Sequence, residues 1–431
     1  MTPQGPTGVT EYSMEPNNLS QGLLKAIESV MRTYDAELRN INHLIWSNPE
    51  LAFKEYKAHD NICTMFESLK LDGYCVHRSA YELETSFEIE YTHKAGGRVV
   101  VFNAEYDALP GIGHACGHNL IATSSIAAFI ATCETLKAEY KHGPGFTVRL
   151  LGTPAEEAGG GKILLIRNGA YKDVFACLML HPMSPPPKSD KFLSIAAGLP
   201  GGFLATDDVR VTFTGKAAHA SAAPWEGVNA LDAVVAAYLN ISLLRQQMCP
   251  SQRVHGTIVH GGDRPNIIPH SASVDYCMRA SSVKSLDSLR ENVTKCFEAA
   301  ATATGCKVDF EWGGLPYADL KVNRPMCERF VDVMQAMGHD SVFQLGEQEG
   351  LLSGGSTDMG NVSYEVPGFH AMYIIPANGV NHTHEFTSGA GSSEAFERTI
   401  ACASGIAAVA CQLIVDDDFA KQVQYYFQEA Q

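Results

Sequence analysis

The stretch Arg98-Val-Val-Val-Phe-Asn-Ala104-Glu-Tyr-Asp107-Ala-Leu-Pro110-Gly-Ile-Gly-His114-Ala-Cys116-Gly-His118-Asn119 joins an apolar, β-branched run to a dense group of acidic, imidazole and thiol side chains. Arg98 to Ala104 reads as a buried strand. Three other short runs end in the same unusual way: Phe146 to Leu151 leads into Glu156-Glu157, Phe175 to Leu180 into His181, and His370 to Ile375 into His382 and His384. In an open α/β sheet the ligand crevice lies beyond the carboxyl ends of the strands, so residues far apart in sequence meet at one edge.

Working outward, apolar helical stretches alternate with short strands from Leu23 to about residue 200, which predicts an α/β sheet. Between 201 and 312 the pattern changes. It becomes a strand (Val209 to Thr214), a helix (Gly227 to Met248), two strands (Arg253 to His260 and Ser271 to Arg279), a helix (Val283 to Thr304) and a strand (Lys307 to Trp312). That β-α-β-β-α-β order is a split-βαβ sandwich. The α/β pattern then resumes with helix Pro325 to Met337, strand His370 to Ile375 and helix Ser393 to Val415, so the segment reads as an insertion in a discontinuous domain. The first twenty residues, rich in Pro, Gly, Thr, Ser and Asn, read as a flexible tail.

The chain has 431 residues, 45% hydrophobic and 19% charged, with a formal net charge of −16. The negative balance repels phosphate backbones and anionic headgroups, so neither nucleic acid nor a membrane surface is an expected partner. Apolar runs such as Ile406 to Val415 fall short of the roughly 20 residues a spanning helix needs. A cytoplasmic location is expected, and the 12 scattered cysteines read as reduced thiols. Gly159-Gly-Gly161-Lys162 has Ile163 where a phosphate loop needs Ser or Thr, and is set aside.

Imidazoles, a thiol and carboxylates, with Cys-x-His spacing at one turn, are the donors of a Zn²⁺ or Mn²⁺ site, and their number suffices for two ions. Each signal alone has an ordinary structural reading; together at four strand ends they favour metal. Of the adjacent glutamates, one has a use as ligand and its neighbour as a free base beside a metal-activated water.

These motifs resemble the metallopeptidase family of aminoacylase and carboxypeptidase G. The match is to its amidohydrolase branch, and within it to the Xaa-Arg dipeptidase group and the aminobenzoyl-glutamate hydrolase subunits. Besides the opening stretch, the resemblance rests on Asn48-Pro-Glu-Leu51, Thr153-Pro-Ala-Glu-Glu157, Gly215-Lys-Ala-Ala-His219-Ala, Pro224-Trp-Glu-Gly-Val-Asn-Ala230 and Asn266-Ile-Ile-Pro269. It implies an α/β mixed-sheet di-metal catalytic domain (21–200 and 313–431) and a ferredoxin-like lid and dimerisation domain (201–312). It further implies Cys116, His118, Glu157, His181 and His382 as metal ligands, with His384 second to His382, Glu156 as general base and Asp107 as an orienting residue. His219 corresponds to a residue that reaches a partner subunit's site and stabilises an oxyanion, and Asn266 and Arg279 to groups that hold a substrate carboxylate. Glu105 stands where other branches carry a His ligand; Asp358 also recurs but is left out of the ligand set, and His114 is unassigned.

The expectation is a homodimeric metal-dependent amidohydrolase that cleaves dipeptides or N-acyl amino acids with a free carboxylate. The alternatives are an enzyme acting on, or forming, an aryl-amide or specialised-metabolite conjugate, a non-catalytic binding protein on a hydrolase fold, and a metal-free Cys116 nucleophile.

Overall fold

The computed structural model describes residues 21–185, 194–196, 202–343 and 355–430. The expected tail, the junction at 200–201 and Gly354 lie outside them. In chain order the elements are α1 (Gln21–Thr33), α2 (Asp35–Ser47), α3 (Tyr56–Leu69), β1 (Tyr74–Arg78), β2 (Phe87–His93), β3 (Arg98–Ala104), α4 (His118–Glu139), β4 (Phe146–Gly152), α5 (Gly161–Arg167), β5 (Ala176–Met183) and β6 (Ser194–Ile195). Next come β7 (Ala205–Thr214), α6 (Ala230–Leu244), β8 (Arg253–His260), β9 (Ser271–Ala280), α7 (Val283–Thr304) and β10 (Lys307–Trp312). The chain continues through α8 (Arg324–Ala336), β11 (Ser341–Val342), α9 (Met359–Glu365), β12 (Gly368–Ile374), α10 (His384–Ala390), α11 (Ser393–Val415) and α12 (Asp417–Glu429).

The larger sheet has the order β1-β2-β4-β3-β5-β12-β6-β11. Its four central strands, β4, β3, β5 and β12, are mutually parallel, and β1 and β2 extend one side antiparallel. Both faces of the centre are covered, which is why these strands read as unbroken apolar runs. The pleat divides their side chains. Val100, Phe102, Leu178 and Leu180 pack with α4 and α11, while Val101, Cys177 and Met179 pack with Leu165 of α5 and Val362 of α9. Each such buried side chain contributes about 1.5–3 kcal/mol. Strand β2 is one that a search for unbroken apolar runs passes over: Phe87-Glu-Ile-Glu-Tyr buries alternate residues, the period of a half-exposed strand.

Helices α4 and α11 are long and apolar enough to cross a membrane by length and composition, yet 94% and 78% of their most apolar windows are buried inside the protein. Ser, Thr and Gly interrupt their apolar runs, so the uninterrupted stretch underestimates them.

The second sheet, β10-β7-β9-β8, is antiparallel throughout. Val209, Val211 and Phe213 of β7 pack on Val293 and Phe297 of α7, while the alternate residues Asp208, Arg210 and Thr214 are exposed. Helix α6 starts at Ala230 instead of Gly227, since Asn229 Oδ1 accepts from Leu231 N and Asp232 N and so caps it. Its outer face carries an exposed stripe, Val235, Tyr238, Leu239 and Leu243. No stripe stands out in the sequence, because Ala230, Val234, Ala237 and Ile241 on the opposite face are apolar too, leaving no polar contrast.

Candidate functional site

Because β4, β3, β5 and β12 are parallel neighbours, their carboxyl ends lie along one edge, and the segments that follow them build one cleft of about 950 Å³. Cys116 and His118 flank Gly117, the left-handed residue that opens α4. At Gly117 φ is +79°, and an added Cβ would lie 2.5 Å from Pro182 Cγ, so only glycine lets the turn approach β5 this closely. Pro154-Ala155-Glu156 makes a second strained turn: Ala155 has φ +61° and its N–H donates to Glu55 Oε1 at 2.9 Å. A third is at His382, φ +69°, whose N–H donates to Ala115 O at 2.8 Å.

The donor atoms form two groups that share one sulfur. Cys116, His118 and His181 lie with their ligand atoms within 4.8 Å of one another, and so do Cys116, Glu157 and His382. The imidazoles are oriented from behind. His118 Nδ1 donates to Asp107 Oδ1 at 3.0 Å and His181 Nδ1 to Pro182 O at 2.8 Å, which leaves each Nε2 lone pair facing the cleft. The other oxygen of Asp107 accepts from Glu157 N at 2.9 Å. Among the described residues, His118 Nε2 and Glu157 Oε1 are buried without a hydrogen-bond partner, as expected of atoms arranged for a cation. A shared thiolate, imidazoles and a carboxylate fit two divalent ions of the Zn²⁺ or Mn²⁺ kind.

The local electrostatics divide the two imidazoles: burial lowers the proton affinity of His118, and Asp107 more than restores it. Burial holds His181 neutral, with a pKa lowered to about 4. Burial also pushes the Cys116 thiol up, and Glu157 adds to this, so the sulfur lacks the activation a metal-free nucleophile needs. Glu156 is buried, with Oε2 3.9 Å from His118 Nε2. Burial and then Glu105 and Glu157 raise its proton affinity well above the ordinary carboxylate range.

Of the two candidate histidines, His382 lines the cleft, with Nε2 3.6 Å from Glu157 Oε2; His384 is exposed at the start of α10. His114 is buried with Nε2 3.1 Å from Ile45 O, a tie to α2 behind the site. Arg279 lines the cleft from β9 and donates to Ser356 Oγ at 3.4 Å. His219 and Asn266 do not join this cleft. They are exposed beside each other on the second sheet's unit, where Ala220 N donates to Asn266 O at 3.0 Å.

Sequence reasoning misses Glu55 and Tyr317, and it names Glu105, Lys162 and Asp358 singly without bringing them together. Glu105, Lys162 and Asp358 form a fully buried ion cluster, with Lys162 Nζ 2.6 Å from Glu105 Oε1 and 2.5 Å from Asp358 Oδ1. Glu55 supports the Glu156 turn, and Tyr317 donates to Glu156 O at 2.7 Å. His370 is buried beside His181 and Phe203. The glycine run before Lys162 is the available signal; a lysine ahead of Ile163-Leu-Leu-Ile166 otherwise looks like a solvated helix start.

Residues 207–304 match the peptidase dimerisation domain family. The chain is 40% identical to Xaa-Arg dipeptidase of Mus musculus, covering 94% of this chain and 93% of that protein. It is 26% identical to a p-aminobenzoyl-glutamate hydrolase subunit of Escherichia coli strain K12, covering 95% of each. Among solved structures it is similar to a dinuclear metal-binding peptidase of the M20 family from Bacillus subtilis, with a TM-score of 0.67 and 20% identity over 89% of this chain and 99% of that one. With its parallel-strand metal cleft and its dimerisation domain, the chain belongs to the M20 family of metal-dependent peptidases and amidohydrolases.

Proposed function

We propose that the cleft hydrolyses the amide bond of a dipeptide or N-acyl amino acid whose free carboxylate is held by Arg279. The observation that carries this reading is the pair of donor groups sharing Cys116, with Glu156 buried beside them. When bound there, two divalent ions supply Lewis acidity to a water and to the scissile carbonyl. Cys116, His118 and His181 would hold one ion, and Cys116, Glu157 and His382 the other. Glu156 takes the proton of the attacking water and delivers it to the leaving amine, a role its raised proton affinity suits. Arg279 offers forked donors to the substrate carboxylate.

The chain acts as a homodimer in this reading. His219 Nδ1 accepts from Ala222 N at 3.2 Å, which leaves the proton on Nε2 as an outward donor for an oxyanion. Since His219 and Asn266 stand outside their own chain's cleft, a second copy is the source of these groups. The exposed stripe on α6 and β8, the edge strand of its sheet among the described residues, supply a face for that copy.

The test is hydrolysis of a panel of dipeptides with basic and neutral C-terminal residues, N-acyl amino acids and p-aminobenzoyl-glutamate, before and after chelation and with Zn²⁺ or Mn²⁺ restored. Chelator-sensitive cleavage restored by metal is expected. Glu156→Gln should keep its metal yet lose about 10²–10⁴-fold in kcat; near-wild-type turnover in that variant would remove Glu156 from its role.

A further inference from the structure

The metal cleft is backed by a third donor group that the hydrolytic reading does not use as a metal site. Glu105, His118 and Glu156 also bring ligand atoms within 4.8 Å of one another, all three residues buried. Two carboxylates and an imidazole are themselves a competent site for a divalent ion. An ion there would draw His118 away from Cys116 and turn Glu156 from a base into a ligand. The geometry points to Lys162 as the device that prevents this.

Lys162 is the one buried Lys or Arg side chain among the described residues. Its Nζ lies 2.6 Å from Glu105 Oε1 and 2.5 Å from Asp358 Oδ1, and its backbone N–H donates to Asp358 Oδ2 at 2.9 Å. Glu105 Oε2 points the other way, 3.6 Å from His118 Nε2. A tethered ammonium therefore occupies one oxygen of Glu105 and sets a fixed positive charge behind the other, which opposes a dication at that position. Burial opposes the charges of this cluster, but the mutual attraction of Lys162 with Asp358 and Glu105 outweighs it for the lysine.

We propose that Lys162 is a positioning residue that keeps the Glu105–His118–Glu156 group free of metal, so that ions settle on the two Cys116-centred groups and Glu156 stays unliganded. The proposal rests on the Cys116-centred reading of the site. Wild-type protein loaded with Co²⁺ tests that reading separately: absence of thiolate-to-cobalt absorption would overturn it before Lys162 is addressed.

Removing one member of a buried ion cluster leaves an uncompensated charge, whereas neutral replacement of partners is better tolerated. The informative comparison is Lys162→Met/Asp358→Asn, which leaves Glu105 charged without its ammonium, against the same protein carrying Glu105→Gln as well. In the Co²⁺ form, thiolate absorption is expected to fall to roughly half in the first, as one ion leaves the sulfur, and to return in the second. Unchanged absorption, metal count and affinity in the first would make Lys162 structural ballast and overturn the proposal. Glu105→Gln alone, which leaves Lys162 paired with Asp358, provides a readout that does not depend on folding of the lysine variants. It should bind two ions with wild-type absorption, and loss of an ion would show Glu105 to be a ligand and overturn the proposal.

Discussion

Asp107 accepts a hydrogen bond from His118 Nδ1 at 3.0 Å, and both side chains are buried. The contact fixes the histidine's tautomer, and the second oxygen of Asp107 holds the backbone of Glu157 at 2.9 Å. One carboxylate thus positions a donor side chain in each Cys116-centred group. Asp107→Asn keeps the size but offers an amide in place of an oxygen, so metal affinity should fall about 10–100-fold. Competition with a chromophoric chelator measures this; unchanged affinity would mean that the ligands orient without Asp107.

Gly117 separates Cys116 from His118 in the left-handed region, with the position of a Cβ only 2.5 Å from Pro182 Cγ. Gly117→Ala should push α4 away from β5 and spread the donor atoms. The backbone strain alone costs of the order of 1–2 kcal/mol. The expected outcome is a folded protein, by circular dichroism, whose metal content is lost on dialysis.

Leu239 and Leu243 are 57% and 75% exposed on α6, where a second copy would cover them. Leu239→Asp/Leu243→Asp should give a monomer in sedimentation that retains metal and loses turnover, since His219 then has no partner to serve. Mixing His219→Ala with Glu156→Gln chains after subunit exchange should restore about a quarter of wild-type activity, because half the dimers are mixed and each has one complete site. No recovery after verified exchange would argue that His219 does not act across the dimer.

Glu55 is buried, and its pKa is raised to about 7, first by burial and then by Asp107. A carboxyl raised above its unfolded value favours the fold while protonated, and that contribution is lost as pH rises from the unfolded pKa through about 7. The Glu55→Gln variant keeps a side-chain oxygen to accept from the Ala155 and Phe53 N–H groups that Glu55 Oε1 now serves, and it cannot ionise. It should therefore match wild type near pH 5 and exceed it in Tm at pH 8. The comparison is made on chelated protein, and a Tm difference independent of pH would remove Glu55 as the titrating group.

The sequence by itself determined the family, through ordered motifs, and the positions where chemistry gathers, through strands such as Arg98–Ala104 that end in ligand-type residues. It also specified the β-α-β-β-α-β segment, because its strands and helices have distinct local periods. Tertiary structure alone decided what depends on distant partners. It put His382 on a left-handed turn tied to Ala115, 3.6 Å from Glu157, and left His384 exposed. It put Lys162 in the interior between Glu105 and Asp358, and it set His219 apart from its own cleft. Periodicity and spacing are properties of neighbouring residues, whereas burial of a charge and the meeting of ligands at a sheet edge depend on which strands lie side by side.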